Sequence, residues 1–180
     1  MRPDWNHIVT EGWTLFLDRD GVINRRIVDG YVTQWESFEF LPGVLDALEI
    51  LAQRFKYIIV ITNQQGVGKG LMTMEQVDEI HDRMCTAIEN HGGRIDGILV
   101  CPQLATEPDN YRKPSPEMAY MAQEIYPEID FAKCIMVGDG ATDMEFGRNA
   151  GTCTVFIGDG NPAADDHFNA LSDFANVFEP

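Results

Sequence analysis

The sequence predicts a Rossmann-like α/β fold, a doubly wound parallel sheet with helices on both faces. Three observations predict it. Short apolar runs of strand length alternate with longer segments of helical period. The runs are apolar without interruption, as strands buried on both faces are. Polar residues able to do chemistry follow the runs, and in a parallel sheet those positions share the edge where ligands bind.

Taken in order, Thr14–Leu17 (TLFL) predicts the first strand and Pro42–Phe55 a helix with Pro42 in its first turn. Tyr57–Ile61 (YIIVI) is the second strand, followed by a helix over Thr73–His91 that Thr73 and Gln76 open as a capping box. Ile98–Val100 and Cys134–Val137 supply the third and fourth strands, with a helix over Pro116–Tyr126 between them. A last helix over Thr142–Ala150 stops at Gly151, and Thr154–Ile157 is the fifth strand. The alternation implies βαβ units and therefore parallel pairing. Residues 101–116 hold four prolines and no period, so they predict a long loop. Asp159-Gly160-Asn161-Pro162 reads as a turn.

With 180 residues, 44% of them apolar, the chain predicts one domain over 1–180 with a single sizeable core. Acidic residues outnumber basic ones 29 to 13, for a formal charge of −16. Such a surface repels phosphate backbones and anionic lipid, which argues against nucleic acid and membrane as partners. A small phosphorylated ligand would need a local positive site made of a few Lys or Arg residues and a metal ion. The four cysteines are far apart and match reduced thiols. Residues 1–12 lack the apolar run of a signal peptide, and no stretch reaches the ~20 apolar residues of a membrane span. A cytoplasmic protein is expected, with a monomer favoured.

The strand ends carry the chemistry. Asp18-Arg19-Asp20-Gly21 follows the first, Thr62-Asn63-Gln64 the second, Arg112-Lys113-Pro114 closes the loop after the third, and Gly138-Asp139-Gly140 with Asp143 follows the fourth. Asp18 and Asp20, two apart, point the same way. Carboxylates that close repel unless a hard cation joins them, and magnesium needs only a few carboxylates plus a substrate phosphate. Asp139 would complete the set. With the cation and Lys113 neutralising a phosphoryl group, one carboxylate can attack phosphorus while the other protonates the departing oxygen. A calcium loop is excluded because Val22 and Ile23 stand where an oxygen ligand and a glycine are required. A Walker loop around Gly66–Gly70 fails because Asn63 replaces its first glycine.

The order D-x-D-G, T-N-Q, K-P and G-D-x-x-x-D resembles the haloacid dehalogenase (HAD) superfamily of phosphatases over roughly residues 13–158. The segments Leu17–Asn24, Gly30–Val32, Phe38–Phe40, Thr62–Gln64 and Arg112–Pro114 are similar to those of the D-glycero-D-manno-heptose 1,7-bisphosphate phosphatases and their histidinol-phosphate relatives. The resemblance implies that Asp18 is the nucleophile and Asp20 the acid/base. Magnesium would be held by Asp18, the Asp20 carbonyl and Asp139. Thr62, Asn63 and Lys113 would grip the phosphate, with Gln64, Arg112, Asp29, Gly30 and Tyr31 near the rest of the substrate and Asp143 in support. The substrate implied is a small phosphorylated sugar or polyol.

Two departures from that resemblance stand out. The family's zinc loop begins Cys-Pro-His and ends with two cysteines; here Gln103 follows Cys101-Pro102, and Asp109 and Tyr111 occupy the later positions. One thiolate cannot build a tetrahedral zinc site, so no zinc is expected. Gly140 stands where the heptose enzymes tend to have lysine. The gap from Asn24 to Ile61 is shorter than the ~50 residues of a small domain, and the predicted helix and strand fill the interval before Lys113, so no separate cap domain is expected. Histidinol phosphate, general sugar phosphates, polynucleotide ends, and phosphate binding without catalysis stay open as alternatives at this point.

Overall fold

The apolar runs assemble into one six-stranded, all-parallel sheet in the order β3-β2-β1-β4-β5-β6. The computed structural model describes residues 3–160 and 163–179, so Asn161 and Pro162 of the predicted turn, and Met1 and Arg2 of the leading segment, lie outside the described residues. The strands are β1 (Thr14–Leu17), β2 (Tyr57–Asn63), β3 (Gly97–Cys101), β4 (Cys134–Gly138), β5 (Cys153–Ile157) and β6 (Asp166–Phe168). β1 lies at the centre, in register with Tyr57–Val60 of β2 on one side and Cys134–Val137 of β4 on the other. The chain winds outward from β1 through β2 and β3, then returns to the opposite side of β1 as β4. That reversal is the switch point where α/β sheets open a crevice.

Strand alternation sends side chains to two separate cores. Leu15, Leu17, Ile58, Val60, Ile135 and Val137 face one layer, where they pack against Val44, Leu48 and Leu51 of α2 (Val44–Arg54) and Met84 and Ile88 of α4 (Met74–Asn90). Phe16, Ile59, Ile61 and Met136 face the other, against Met118 and Ala122 of α5 (Glu117–Ile125) and Phe146 of α6 (Ala141–Ala150).

The capping box at Thr73 is formed, with Gln76 N donating to Thr73 Oγ1 at 3.2 Å and Thr73 N donating to Gln76 Oε1 at 2.8 Å. Gly151 ends α6 in the left-handed conformation at φ 82°. Pro42 precedes the helix it was expected to enter, since α2 starts at Val44 behind Gly43, and Pro116 is the N-cap residue of α5. The sequence reading misses α1 (Trp5–Ile8), α3 (Gln65–Gly68), α7 (Leu171–Ala175) and β6, all too short to show a period. Trp5 Nε1 donates to Asp166 Oδ2 at 2.9 Å and fastens α1 beside β6. No described helix is long and apolar enough to cross a membrane.

Candidate active site

The site stands at the carboxyl ends of β1, β2 and β4. Asp18 leaves β1 with its N–H donating to Val137 O at 2.9 Å, so the sheet itself sets where the residue begins. Its Oδ1 accepts from Arg19 N at 2.8 Å and from Lys113 Nζ at 2.8 Å. Lys113 Nζ also donates to Asp143 Oδ1 at 2.6 Å and to Ile61 O at 2.8 Å. All three ammonium hydrogens are therefore spent on protein partners. In this arrangement Lys113 acts on Asp18, and it would have to give up a bond to grip a phosphate directly.

The turn after Asp18 is built around one carbonyl. Arg19 O accepts from the N–H groups of Val22, Ile23 and Asn24, while Gly21 N donates to Asn24 O. Gly21 sits at φ 90°, and a Cβ there would lie 1.9 Å from Asp139 Oδ2, so any side chain would be strained and would displace the Asp139 carboxylate. At the end of β4 a Cβ on Gly138 would lie 2.2 Å from the Cβ of Asp143. Both absences bring the carboxylates of Asp18, Asp139 and Asp143 together, with an oxygen of each within 4.8 Å of the others.

Asp20 does not point into that cluster. Its carboxylate accepts from Arg19 Nη2 at 2.9 and 3.1 Å, from Asn24 Nδ2 at 3.0 Å and from Gln64 Nε2 at 2.8 Å. Arg19 is fully buried, and its other terminal nitrogen, Nη1, lies 3.1 Å from His81 Nε2. The sequence reading assigned no part to Arg19, Asn24 or His81. His81 could have been noticed, since it shares the buried face of α4 with Val77, Ile80 and Met84 and is the one polar side chain there.

Thr62 and Asn63 belong to β2 rather than to a loop beyond it. Thr62 is buried behind Gln64, whose Nε2 donates to Thr62 Oγ1 at 2.9 Å. Asn63 clamps the Lys113 backbone: its Nδ2 donates to Lys113 O at 3.2 Å and its Oδ1 accepts from Lys113 N at 3.0 Å. Gln64, expected near the rest of the substrate, lines the cleft and also joins Asp20 to Thr62.

A cleft of about 600 Å³ opens over Asp18 and Asp20, walled by Asp29, Gly30, Tyr31, Gln65, Lys69 and Arg112. Against a chain charge of −16, this cleft gathers Arg26, Lys69, Arg112 and Lys113. Asp29 holds φ 54°. Tyr31 lies under Lys69, whose Nζ is 5.3 Å from the ring centre. Arg112 Nη1 donates to Gln65 Oε1 at 3.0 Å.

Burial and the Asp143 charge push the Asp18 carboxyl up to about 7, since one ammonium must serve both carboxylates. Burial works against the charge on Lys113, yet Asp143 and Asp18 more than offset it and hold its pKa above the ordinary value. Burial would also raise Asp20, but Arg19, Asn24 and Gln64 outweigh it and keep Asp20 below the usual carboxylate range. Burial raises Asp139, with Arg26 opposing. Three carboxylates this close, two of them held toward the protonated form, are a donor set for a hard cation. Arg26 sits against two of them, placing Nη2 2.6 Å from Asp139 Oδ1 and 3.9 Å from Asp18 Oδ2, and 3.2 Å from Asp20 O.

The HAD-hydrolase-like family matches residues 110–177. The D-glycero-alpha-D-manno-heptose-1,7-bisphosphate 7-phosphatase of Mycobacterium bovis is 42% identical over 170 residues, covering 91% of this chain and 90% of that one. The chain belongs to the HAD-like phosphatases. The D-glycero-beta-D-manno-heptose-1,7-bisphosphate 7-phosphatase of Yersinia pestis, 35% identical, covers 92% of this chain and 94% of its own. A crystal structure of the D,D-heptose 1,7-bisphosphate phosphatase from B. bronchiseptica, complexed with magnesium and phosphate, superposes with a TM-score of 0.83 at 28% identity, over 91% of this chain and 96% of that one.

In this HAD-like phosphatase, the loop where the zinc residues were sought is held by side-chain hydrogen bonds. Gln103 Oε1 accepts from Tyr111 N at 3.2 Å and lies 3.9 Å from the buried Cys101 Sγ. Leu104 N donates to Glu107 Oε1 at 2.9 Å, and Asn110 Nδ2 to Glu107 O at 2.8 Å.

Proposed function

We propose that this enzyme hydrolyses a phosphomonoester of a small sugar through an aspartyl-phosphate on Asp18, with D-glycero-D-manno-heptose 1,7-bisphosphate, cleaved at the 7-position, as the substrate. The observation that carries the reading is the buried Lys113 ammonium shared by Asp18 and Asp143 beneath a cation-lined cleft. It holds a carboxylate in place for in-line attack without neutralising it fully. Relatives bearing that activity over nine-tenths of their length support the substrate.

Magnesium fits the cluster, with Asp18, Asp139 and the Asp20 carbonyl as ligands; it would neutralise the phosphoryl oxygens and lower the barrier to attack. A carboxylate oxygen of Asp18 bonds to phosphorus as the ester oxygen leaves with a proton from Asp20. Asp20 then takes a proton from water, whose oxygen attacks phosphorus and frees the Asp18 carboxylate. As arranged, Asp20 is ionised. A phosphate arriving beside it adds like charge and raises its proton affinity, so Asp20 takes up a proton from solvent or from the protonated phosphate itself and then passes it to the leaving oxygen. Asn63 and Thr62 serve by holding Lys113 and Gln64, and Arg112, Tyr31, Gly30 and Asp29 border the sugar.

The test is phosphate release with magnesium from both anomers of the heptose bisphosphate, histidinol phosphate and common sugar monophosphates. The heptose bisphosphate should give the highest kcat/KM, and Asp18→Asn should abolish turnover while circular dichroism shows the fold retained. A beryllofluoride adduct should form on Asp18. Turnover by Asp18→Asn at the wild-type rate overturns the covalent route, and a higher kcat/KM for histidinol phosphate overturns the substrate.

A further inference from the structure

One side chain of the cleft is in an unexpected place. Arg26, to which the sequence motifs give no role, reaches with its Nη2 the three oxygens assigned to magnesium: Asp139 Oδ1 at 2.6 Å, Asp20 O at 3.2 Å and Asp18 Oδ2 at 3.9 Å. A single nitrogen bridging three oxygens from two strand ends stands where a small cation would stand. Two positive charges cannot share that point, and the same oxygens cannot both accept from a guanidinium and ligate a metal.

The base of Arg26 is fixed while its side chain is half exposed. Next to it, Arg25 N donates to Glu39 O at 2.8 Å, and the Arg25 side chain grips Glu39 with two bonds of 3.0 Å. Asn24 bridges to Phe40 on the same side. The Arg26 side chain itself is 54% exposed, so it can turn away without disturbing the core. Side-chain rotation of that kind is fast compared with turnover. The cleft it shares is also lined by Lys69 and Arg112, with Asp29 as a further carboxylate. Gly140, also on the cleft, brings no charge, so Arg26, Lys69 and Arg112 are the cations lining it besides Lys113.

We propose that Arg26 is an exchangeable cation: it holds the oxygens of Asp18, Asp20 and Asp139 in the metal-free enzyme, leaves when magnesium binds, and then pairs with the phosphate of the substrate that is not being cleaved. The inference rests on the magnesium-dependent phosphatase reading above. Its first half means that magnesium binds against a competitor built into the chain. Its second half means that the metal and a bisphosphate favour each other, because each supplies what makes Arg26 change partners.

Calorimetric titration of magnesium into the substrate-free protein, at constant ionic strength, tests the first half. Arg26→Gln should bind magnesium roughly tenfold more tightly than wild type, the value of one charge-assisted bond removed. Arg25→Gln, which keeps Arg26, should match wild type, and Asp139→Asn should bind far more weakly. Equal affinity in wild type and Arg26→Gln overturns the exchange. Magnesium binding that is absent from wild type, or unaffected by Asp139→Asn, would instead overturn the metal site itself. For the second half, KM at saturating magnesium is compared for heptose 1,7-bisphosphate and heptose 7-phosphate. Arg26→Gln should raise the first roughly tenfold more than the second; equal changes overturn the pairing with the second phosphate.

Discussion

Arg19 Nη1 lies 3.1 Å from His81 Nε2, and because a guanidinium can only donate, the imidazole must accept. His81 is thereby neutral with its proton on Nδ1. Burial and the Arg19 charge push its pKa down to about 3. The unfolded chain takes up that proton below the ordinary value of 6.5, while the folded one does not until about 3. Stability from this group is thus complete above pH 6.5 and is lost as pH falls toward 3. Between pH 7 and 5, wild type should lose about 2 kcal/mol more than His81→Gln in urea unfolding. NMR should show no His81 titration between about pH 5 and 8.

Asp18 gives the opposite sign. Its folded pKa, raised to about 7, means the native state binds its proton more tightly than the unfolded chain does. The metal-free protein should therefore lose stability from this group as pH rises from the ordinary carboxylate range to about 7. Magnesium requires the ionised form, so binding near pH 6 should release about one proton per chain and binding near pH 8 almost none. Calorimetry in buffers of different ionisation enthalpy measures that number directly.

Removing Lys113 should harm both stability and rate. Lys113→Ala leaves Asp18 and Asp143 buried and facing each other, a change worth about 3–5 kcal/mol when a buried pair is broken. The deficit should shrink at acid pH, where the two carboxyls can take up protons. Urea unfolding at pH 8 and pH 5 tests this, and kcat should fall for every substrate.

Arg112 should discriminate among substrates. It spends one donor on Gln65, leaving the rest of its planar fork for a ligand. Arg112→Ala should raise KM for a bisphosphate far more than for a monophosphate, with kcat less affected. Arg112→Lys should not restore it, because an ammonium cannot make the paired bonds. Steady-state kinetics on both substrates decide the matter.

The strands of the sheet were legible because parallel strands buried on both faces are written as plain apolar runs, and the site followed from what came after each run. Asp18, Asp20, Lys113, Asp139 and Asp143 all lie at those ends. What the sequence could not display is direction. Thr62 and Asn63 read as phosphate ligands because of where they stand; the hydrogen bonds of Thr62 to Gln64 and of Asn63 to the Lys113 backbone are not visible in the sequence. Arg19 read as an interruption between two aspartates; its buried guanidinium meets His81, 62 residues away in sequence. Arg26 reaches Asp139 across 113 residues, a pairing no local pattern encodes. β6 escaped because three residues carry no usable period.

Gly21 and Gly138 have a consequence for anyone diversifying this enzyme. Each is a site where the smallest added carbon would collide with a carboxylate residue of the cluster, Asp139 in one case and Asp143 in the other. A saturation library scored by activity would rank both positions as intolerant as Asp18, although neither has a side chain to offer the reaction. Scoring the same library for soluble yield would separate the classes. Replacements of Asp18 should still accumulate as folded, inert protein, while those of Gly21 should reduce the amount recovered. Intolerance alone would therefore overcount the residues that do the chemistry.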